Sequence, residues 1–481
     1  MKKTTIISLI LLVLISILIV PKELQNDTFY LIKVGESIVN NGLDFIDHFS
    51  IHNLNYLYPH LLFSLITYFS YNILSYKGLY ILTIIFTIIL SFTLFFVNCK
   101  NSKNKIISLA ISILTIVFLS DFITLRSQIF SYTIFILEYY FLNKLLETNK
   151  RKYYIYLMLL PILLVNTHVA VYPFYIIMYF PIIGEYIYNK IFKKINFNIK
   201  PIIISLLLAI LSGLVSPLFI DSYTYLFYTL VNNTTTYIAE HQPTVLISSP
   251  KMIILCILCI FLFTNKLFKL EIKEKFLILG LIIMAFSSTR HQSLLIIFSM
   301  IITNKYIGNY LYEKEYKQNL ELEKKFMTSK GIIFSILIVL LVGTPMFIRN
   351  INMKYVNETL YPIDTVNYIK KNLNYKDIRI FNSFNIGSYL ILNDIKVFID
   401  SRTDLYTKIY NKKENIFLDY INTIQHKIYY EDIFEKYDIN YILLSNDSSL
   451  LNYLKRNNNY SIEYIDNYFT LYKRNINLIK E

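Results

Sequence analysis

Tryptophan is absent from this chain of 481 residues, and cysteine occurs only three times. Cys99 stands at the end of an apolar run, and Cys256 and Cys259 lie inside another. No cysteine follows, so the C-terminal part is not stapled by disulfides. The Cys256–Cys259 pair has CxxC spacing, but its apolar surroundings favour packed or lipid-facing thiols over redox or metal chemistry. Charge is scarce too: Asp, Glu, Lys and Arg make up 17% of the residues against 55% hydrophobic. Soluble globular chains carry about 25% charged residues, so this balance excludes an ordinary soluble protein. Gly-rich phosphate loops are missing, and Gly387 in the C-terminal part is isolated. That argues against a nucleotide-sugar-binding fold there.

What is present is a succession of long apolar runs from Ile6 to Phe347. Each needs a surrounding as apolar as itself, which a bilayer supplies. Spans are expected at 4–20, 79–97, 106–120, 128–143, 154–166, 169–187, 201–217, 250–265, 276–288, 292–304 and 331–348, about eleven in all. Met1-Lys2-Lys3 and the apolar run to Val20 look like a signal peptide. The run ends in Ile-Val-Pro-Lys without a small-residue cleavage site, so a retained first helix is expected.

The formal net charge of +14 points to membrane orientation, and no nucleic-acid partner is expected. Taken alternately, the loops of one set (the N-terminus, 98–105, 144–153, 188–200, 266–275 and 305–330) hold about 23 Lys and Arg. The other set (21–78, 121–127, 167–168, 218–249 and 289–291) holds about five. The positive-inside rule puts the first set in the cytoplasm. One segment decides this parity: 56–71 is apolar but short, and contains Pro59, His60, Ser64 and Thr67. It is read as an outer juxtamembrane or re-entrant helix. The expected localisation is a multi-pass protein of the cytoplasmic membrane, N-terminus inside and everything after Arg349 outside.

The outer loops collect ionisable and amide groups: Asp27, Asp44, Asp47 and His48 in the first, then Asp121 and Arg126, His168, Glu240 and Gln242, and Arg290 with His291. Ionisable side chains at membrane depth are costly and mark functional sites by default. Against this stands the bland alternative of solvated interfacial loops. The mixture suits sugar transfer from a lipid-phosphate donor. A carboxylate deprotonates the acceptor or holds a divalent cation, Mg2+ or Mn2+. Negative charge favours an oxocarbenium-like transition state, and Arg or His receives the departing phosphate. Asp27, with Asp121 second, is the catalytic candidate. Arg126, His168, Glu240, Gln242 and Arg290 are the substrate-binding candidates.

The stretch Asp27-Thr28-Phe29-Tyr30 through Gly35-Glu36, followed by Gly42, Asp47 and Tyr58-Pro59-His60, resembles the first external loop of GT-C membrane glycosyltransferases. That class includes protein O-mannosyltransferases and the catalytic subunit of oligosaccharyltransferase. The resemblance implies that an essential loop Asp corresponds to Asp27 and that an amphipathic helix follows it. Further along, Arg126-Ser127-Gln128, Asn166-Thr167-His168, Ser216-Pro217, Glu240-His241-Gln242-Pro243, Thr289-Arg290, Asn382 to Leu390 and Val397 to Asp404 are similar, in order, to a bacterial group of GT-C-like proteins. Departures are the absent Trp, His241 where an aromatic is expected, and a single acid, Asp121, in the second loop.

After Asn350 the composition shifts to charged residues, Asn and short apolar segments. Helices are expected at 362–373, 413–424, 429–436 and 447–456, and strands at 378–382, 396–400, 440–445, 461–466 and 468–473, the last two a hairpin. Asp400 and Arg402 follow the strand Val397-Phe398-Ile399, where α/β sheets bind ligands. They are candidates for binding the acceptor, with structural closure of the strand end as the alternative.

The expected architecture is therefore an α-helical polytopic, GT-C-like membrane domain at 1–348, with external loop 21–78, and a small extracytoplasmic α/β domain at 349–481. The expected function is a glycosyltransferase using a polyprenyl-phosphate-linked sugar and a cell-envelope glycan, lipid or protein acceptor at the outer face. A transporter or flippase of an envelope lipid would show inverted repeats and broken mid-membrane helices, of which the sequence offers little. A non-catalytic envelope scaffold is the third class.

Overall fold

The computed structural model describes residues 2–195, 197–231, 234–314 and 316–475. The chain divides into two compact units: one of 1–22, 77–226 and 235–352, the other of 23–76, 227–234 and 353–481.

The first unit is helical. Its helices include Lys2–Ile19, Lys105–Phe118, Ser127–Thr148, Arg151–Thr167, Tyr172–Ile177, Phe180–Tyr188, Lys200–Ser212, Pro250–Thr264, Ile272–Ser287, Gln292–Lys314 and Ser329–Ile351. Five helical segments among the described residues are long and apolar enough to cross a membrane: Leu61–Asn101, Lys105–Phe122, Val169–Lys193, Thr289–Glu313 and Ser329–Ile351. Shorter apolar helices are Lys3–Ile19, Lys200–Ser212 and Pro250–Thr264. Every span expected from sequence overlaps a helix, and five of these segments are both long and apolar enough to cross. Outward faces are strongly apolar, with Ile283, Phe334 and Leu341 largely exposed. Such a surface is stable only against an apolar solvent.

Polar pairs pin the helix ends. Lys305 Nζ bridges Glu271 Oε1 at 2.5 Å and the fully buried Glu274 Oε1 at 2.7 Å. Glu271 and Glu274 also form a capping box, each accepting a backbone N–H at the start of Ile272–Ser287. The expected span 169–187 is broken. Helices Tyr172–Ile177 and Phe180–Tyr188 are joined through Met178 and Tyr179, with Pro181 near the start of the second. A proline inside a helix removes a backbone bond and forces this kind of break.

The second unit is an α/β assembly. Its sheet has the order β1-β2-β4-β3, from Ile380–Asn382, Tyr441–Ser445, Phe469–Arg474 and Tyr460–Ile465. β1 and β2 are parallel, while β2–β4 and β3–β4 are antiparallel. The expected strand at 396–400 is not one. Val397 makes single bridges to Ser50 and Ile380. The Asn382 side chain then replaces a ladder, donating to the Ile399 carbonyl at 2.8 Å and accepting from Phe398 N at 2.9 Å.

The segment read as an external loop contains a true helix, Asn26–Asn41. It buries Phe29 edge-on against the rings of Tyr361 and Tyr389, at 4.9 and 5.4 Å between centroids. It packs on the helix that begins at Leu61, because Gly35 has no side chain. A Cβ there would lie 2.3 Å from the Ser64 carbonyl oxygen. The helix from Leu61 does not run straight to Asn101: Leu74 and Ser75 leave helical geometry, Ser75 at φ 51° and ψ −142°.

Candidate functional site

In the first unit, four segments supply the candidate residues. Arg126 is the residue before Ser127–Thr148, and its side chain pairs with the Glu240 carboxylate. Glu240 lies on the 3-10 turn Ala239–His241, and its backbone carbonyl accepts from Ser288 Oγ at 3.0 Å and Thr289 Oγ1 at 2.9 Å. The Gln242 carbonyl accepts from Thr289 N at 3.0 Å, and Thr244 N donates to the Phe286 carbonyl at 3.0 Å. Residues 240–244 are thus stitched along 285–289. Arg290 sits on the next turn, Thr289–His291. With the Gln128 amide oriented as its neighbours require, its oxygen accepts from Arg290 Nη2 at 2.8 Å and from Nε.

This arrangement collects positive charge for a physical reason. Arg126 immediately precedes the helix Ser127–Thr148, and Arg290 stands two residues before Gln292–Lys314. The first-turn N–H groups of a helix lack intrahelical partners, and its dipole favours an anion. Against two guanidiniums and two helix starts stands one carboxylate, Glu240, which is partly exposed. Burial lowers His241 to about 4, with Arg290 adding to the effect, so its imidazole adds no charge at neutral pH. His291 Nδ1 lies 3.2 Å from the Met284 carbonyl.

His168 and Gln242 are each engaged in a hydrogen bond of their own. His168 is buried at the end of Arg151–Thr167, with Nδ1 2.9 Å from Ser131 Oγ. Gln242 Nε2 donates to the Thr236 carbonyl at 2.6 Å. Asp121 is exposed and meets Lys251 Nζ at 2.7 Å, an ion pair in which Lys251 was not foreseen. Lys251 also donates to Ser120 Oγ at 3.1 Å and to the Phe118 carbonyl at 3.2 Å.

Beside these groups lies an apolar cavity of about 310 Å³, lined by Phe135, Phe174, Gly184, Gly280, Met284 and Phe298 among others. His291, the chain neighbour of Arg290, packs against its wall: its ring meets Phe174 edge-on at 5.4 Å and its Nδ1 lies 3.2 Å from the Met284 carbonyl. A Cβ on Gly280 would meet nothing within 4 Å, so the glycine leaves this wall open. Sequence reading missed the cavity, since Phe, Met and Gly in apolar helices read the same whether they fill space or surround it.

In the second unit, Asp27 is in the first turn of Asn26–Asn41, where the helix dipole favours its carboxylate. Asp400 and Arg402 are buried and occupied. Arg402 donates through Nε to Asp400 Oδ1 at 2.9 Å, through Nη2 to Asp400 Oδ2 at 2.7 Å and through Nη1 to Asp47 Oδ1 at 2.7 Å. The rings of Phe49 and Tyr56 lie 5.3 and 5.2 Å from its guanidinium carbon. Tyr406 donates to the same Asp400 carboxylate. Burial tends to raise Asp47, but Arg402 and hydrogen bonds from Ser50, Phe49 and Arg402 itself outweigh it and hold the carboxyl low. This geometry is the structural closure weighed as the alternative, with residues 47–56 as part of it.

Among the described residues, no three His, Cys, Asp or Glu side chains group as metal ligands.

The fold is that of the GT-C membrane glycosyltransferases. ArnT from Cupriavidus metallidurans, solved bound to undecaprenyl phosphate, superposes with a TM-score of 0.59 over 98% of both chains at 9% identity. The Archaeoglobus fulgidus oligosaccharyltransferase matches in its apo form (TM-score 0.59) and tethered to an acceptor peptide containing the NVT sequon (0.58). Those two matches are 12% identical and cover 91% of this chain and 69% and 68% of theirs. No protein-family model and no curated protein matches the sequence.

Proposed function

We propose that this protein is an integral-membrane glycosyltransferase that moves a sugar from a polyprenyl-phosphate donor to a cell-envelope acceptor at the outer face of the cytoplasmic membrane. The observation that carries the reading is one juxtaposition: two arginines at two helix starts, with His291, the chain neighbour of Arg290, packed against the wall of an apolar cavity. A donor of this kind has both halves, an anion and a long apolar chain. The likeness to an enzyme solved with undecaprenyl phosphate supports it.

In the proposed reaction the donor phosphate exchanges for Glu240 on Arg126 and takes Arg290 as its second partner. The acceptor hydroxyl loses its proton to a carboxylate base as its oxygen attacks the anomeric carbon, a role for which the family resemblance names Asp27. The bond from that carbon to the phosphate oxygen breaks, and polyprenyl phosphate leaves with the electron pair. Negative charge grows on the phosphate as this bond breaks, so the arginines bind the transition state better than the ground state. His168 and Gln242 position the helix end and loop that carry these groups. Asp121 enters as a second carboxylate only by releasing Lys251. Asp400 and Arg402, already saturated, act by holding 47–56 in place.

The test is transfer from a labelled polyprenyl-phosphate sugar in proteoliposomes. Asp27→Asn is expected to lower the rate about 100-fold or more, the range for loss of a general base. Arg290→Ala is expected to lower it about 100-fold, as for loss of a charge-stabilising donor. Wild-type rates in both variants of an active preparation would overturn the site. Lipid movement across the bilayer without sugar transfer would favour a flippase.

A further inference from the structure

A second cavity, of about 720 Å³, lies wholly within the α/β unit and has no part in the reaction above. It opens where the parallel strands β1 and β2 end, between Ser383 and Ser445, with the β3–β4 turn on another side. Ligands of α/β sheets bind at such strand ends, and the volume falls within the usual range for small-molecule sites.

Its lining is selective in chemistry. Gln25, Asn385 and Asn467 present amides with no side-chain hydrogen bond among the described residues. Other side chains of the wall are already engaged: Asn446 donates to the Asp466 carbonyl at 3.0 Å and accepts from Thr470 Oγ1 at 2.6 Å. Asp466 Oδ1 in turn accepts from Tyr468 N at 2.9 Å and Phe469 N at 2.7 Å. These bonds hold the turn rigid and leave the Asn467 amide and the 40%-exposed Tyr468 available. Among the described residues the acids are Glu23 and Asp447, and no Lys, Arg or His lines the cavity, in a chain of net charge +14.

We infer that this cavity binds an uncharged, hydroxyl-rich glycan. A sugar hydroxyl both donates and accepts, and an amide side chain answers both roles from one head group. A free aromatic face offers the apolar side of a sugar ring a surface to lie on. Two carboxylates without a basic partner repel phosphates, sulfates and uronates. An extended peptide would be captured along a strand edge, whereas this cavity lies across strand ends. Calling the bound glycan the acceptor rests on the proposed transferase function; the binding itself does not.

The experiment uses the full chain in lipid nanodiscs against a panel of neutral, N-acetylated and uronate-bearing oligosaccharides and unglycosylated peptides, with hits quantified by saturation-transfer NMR. A neutral or N-acetylated member is expected to bind, with its uronate counterpart weaker by about tenfold or more. Tyr468→Ala should weaken binding about tenfold, and Tyr468→Phe should stay within about twofold. Asn385→Ala and Asn467→Ala should each cost about fivefold, the scale of one net hydrogen bond. Circular dichroism confirms that each variant is folded. No neutral glycan bound, equal binding of the uronate, capture of peptides instead, or full binding by a folded Tyr468→Ala protein would each overturn the inference. Glycan binding by a wild type that transfers no sugar would sink the transferase reading and leave the cavity's assignment standing.

Discussion

Arg402 shows how a single side chain can carry opposite meanings in sequence and in space. Beyond a strand end, an Asp-Arg-Asp triplet reads as a ligand site. In the structure its guanidinium is spent on Asp400 and Asp47 and covered by two rings. Removing one member leaves a buried charge unpaired. Arg402→Met is thus expected to destabilise the α/β unit by about 3–5 kcal/mol, read as a lower midpoint in denaturant. His52 gives a second test. It is half-buried, its Nε2 lies 2.8 Å from the Phe398 carbonyl, and desolvation lowers it to about 4. A depressed histidine contributes its full stability above the unfolded value of about 6.5 and loses it as pH falls toward the folded value. Thermal midpoints measured between pH 7 and pH 4 should fall in wild type and flatten in His52→Gln. The motif that carried the family resemblance could not disclose this use of Asp47, His52 and Arg402, because the contacts Asp47–Arg402 and His52–Phe398 join segments hundreds of residues apart.

Elements were more legible than their breaks. The apolar runs and the α/β alternation translate into helices and strands because their hydrophobic periods are local properties. The expected helix at 362–373 is Ile363–Asn372, and the expected hairpin is Tyr460–Ile465 with Phe469–Arg474. The strand at 396–400 failed because a strand needs a ladder partner, and there Asn382 supplies side-chain bonds instead. The break at Leu74 and Ser75 also lacks an obvious signal, since no proline or glycine stands at either position. Ser75 carries the strain of a positive φ at 51°. Ser75→Gly should relieve it and stabilise the protein by about 1 kcal/mol, while Ser75→Val should destabilise it by at least as much. Gly35 makes the converse case: Gly35→Ala drives a methyl into the Ser64 carbonyl and should loosen the packing of Asn26–Asn41. Protease nicking within 36–60 would report it.

At the scale of the whole molecule, orientation rests on charge. The loop bias places the C-terminal α/β unit outside the cytoplasmic membrane under the reading proposed here. Asp400 is buried and useless as a labelling site, but Ser461 is exposed. With Cys99, Cys256 and Cys259 replaced by Ser, Ser461→Cys should react with an impermeant maleimide added to intact cells. Labelling only after lysis would reverse the orientation and remove the acceptor from the proposed side.

By itself the sequence determined the class of molecule: long apolar runs demand lipid, Lys-rich loops bias orientation, and short alternating segments demand a sheet. These follow from local composition and period, which every stretch of chain carries with it. Only the tertiary structure decided which charged groups are spent and which remain for chemistry. It sealed Arg402 between Asp47 and Asp400, gathered Arg126 and Arg290 beside an apolar cavity, and left Gln25, Asn385 and Asn467 facing another. The reason is that the availability of a polar group depends on its neighbours in space, and those come from segments the sequence keeps far apart.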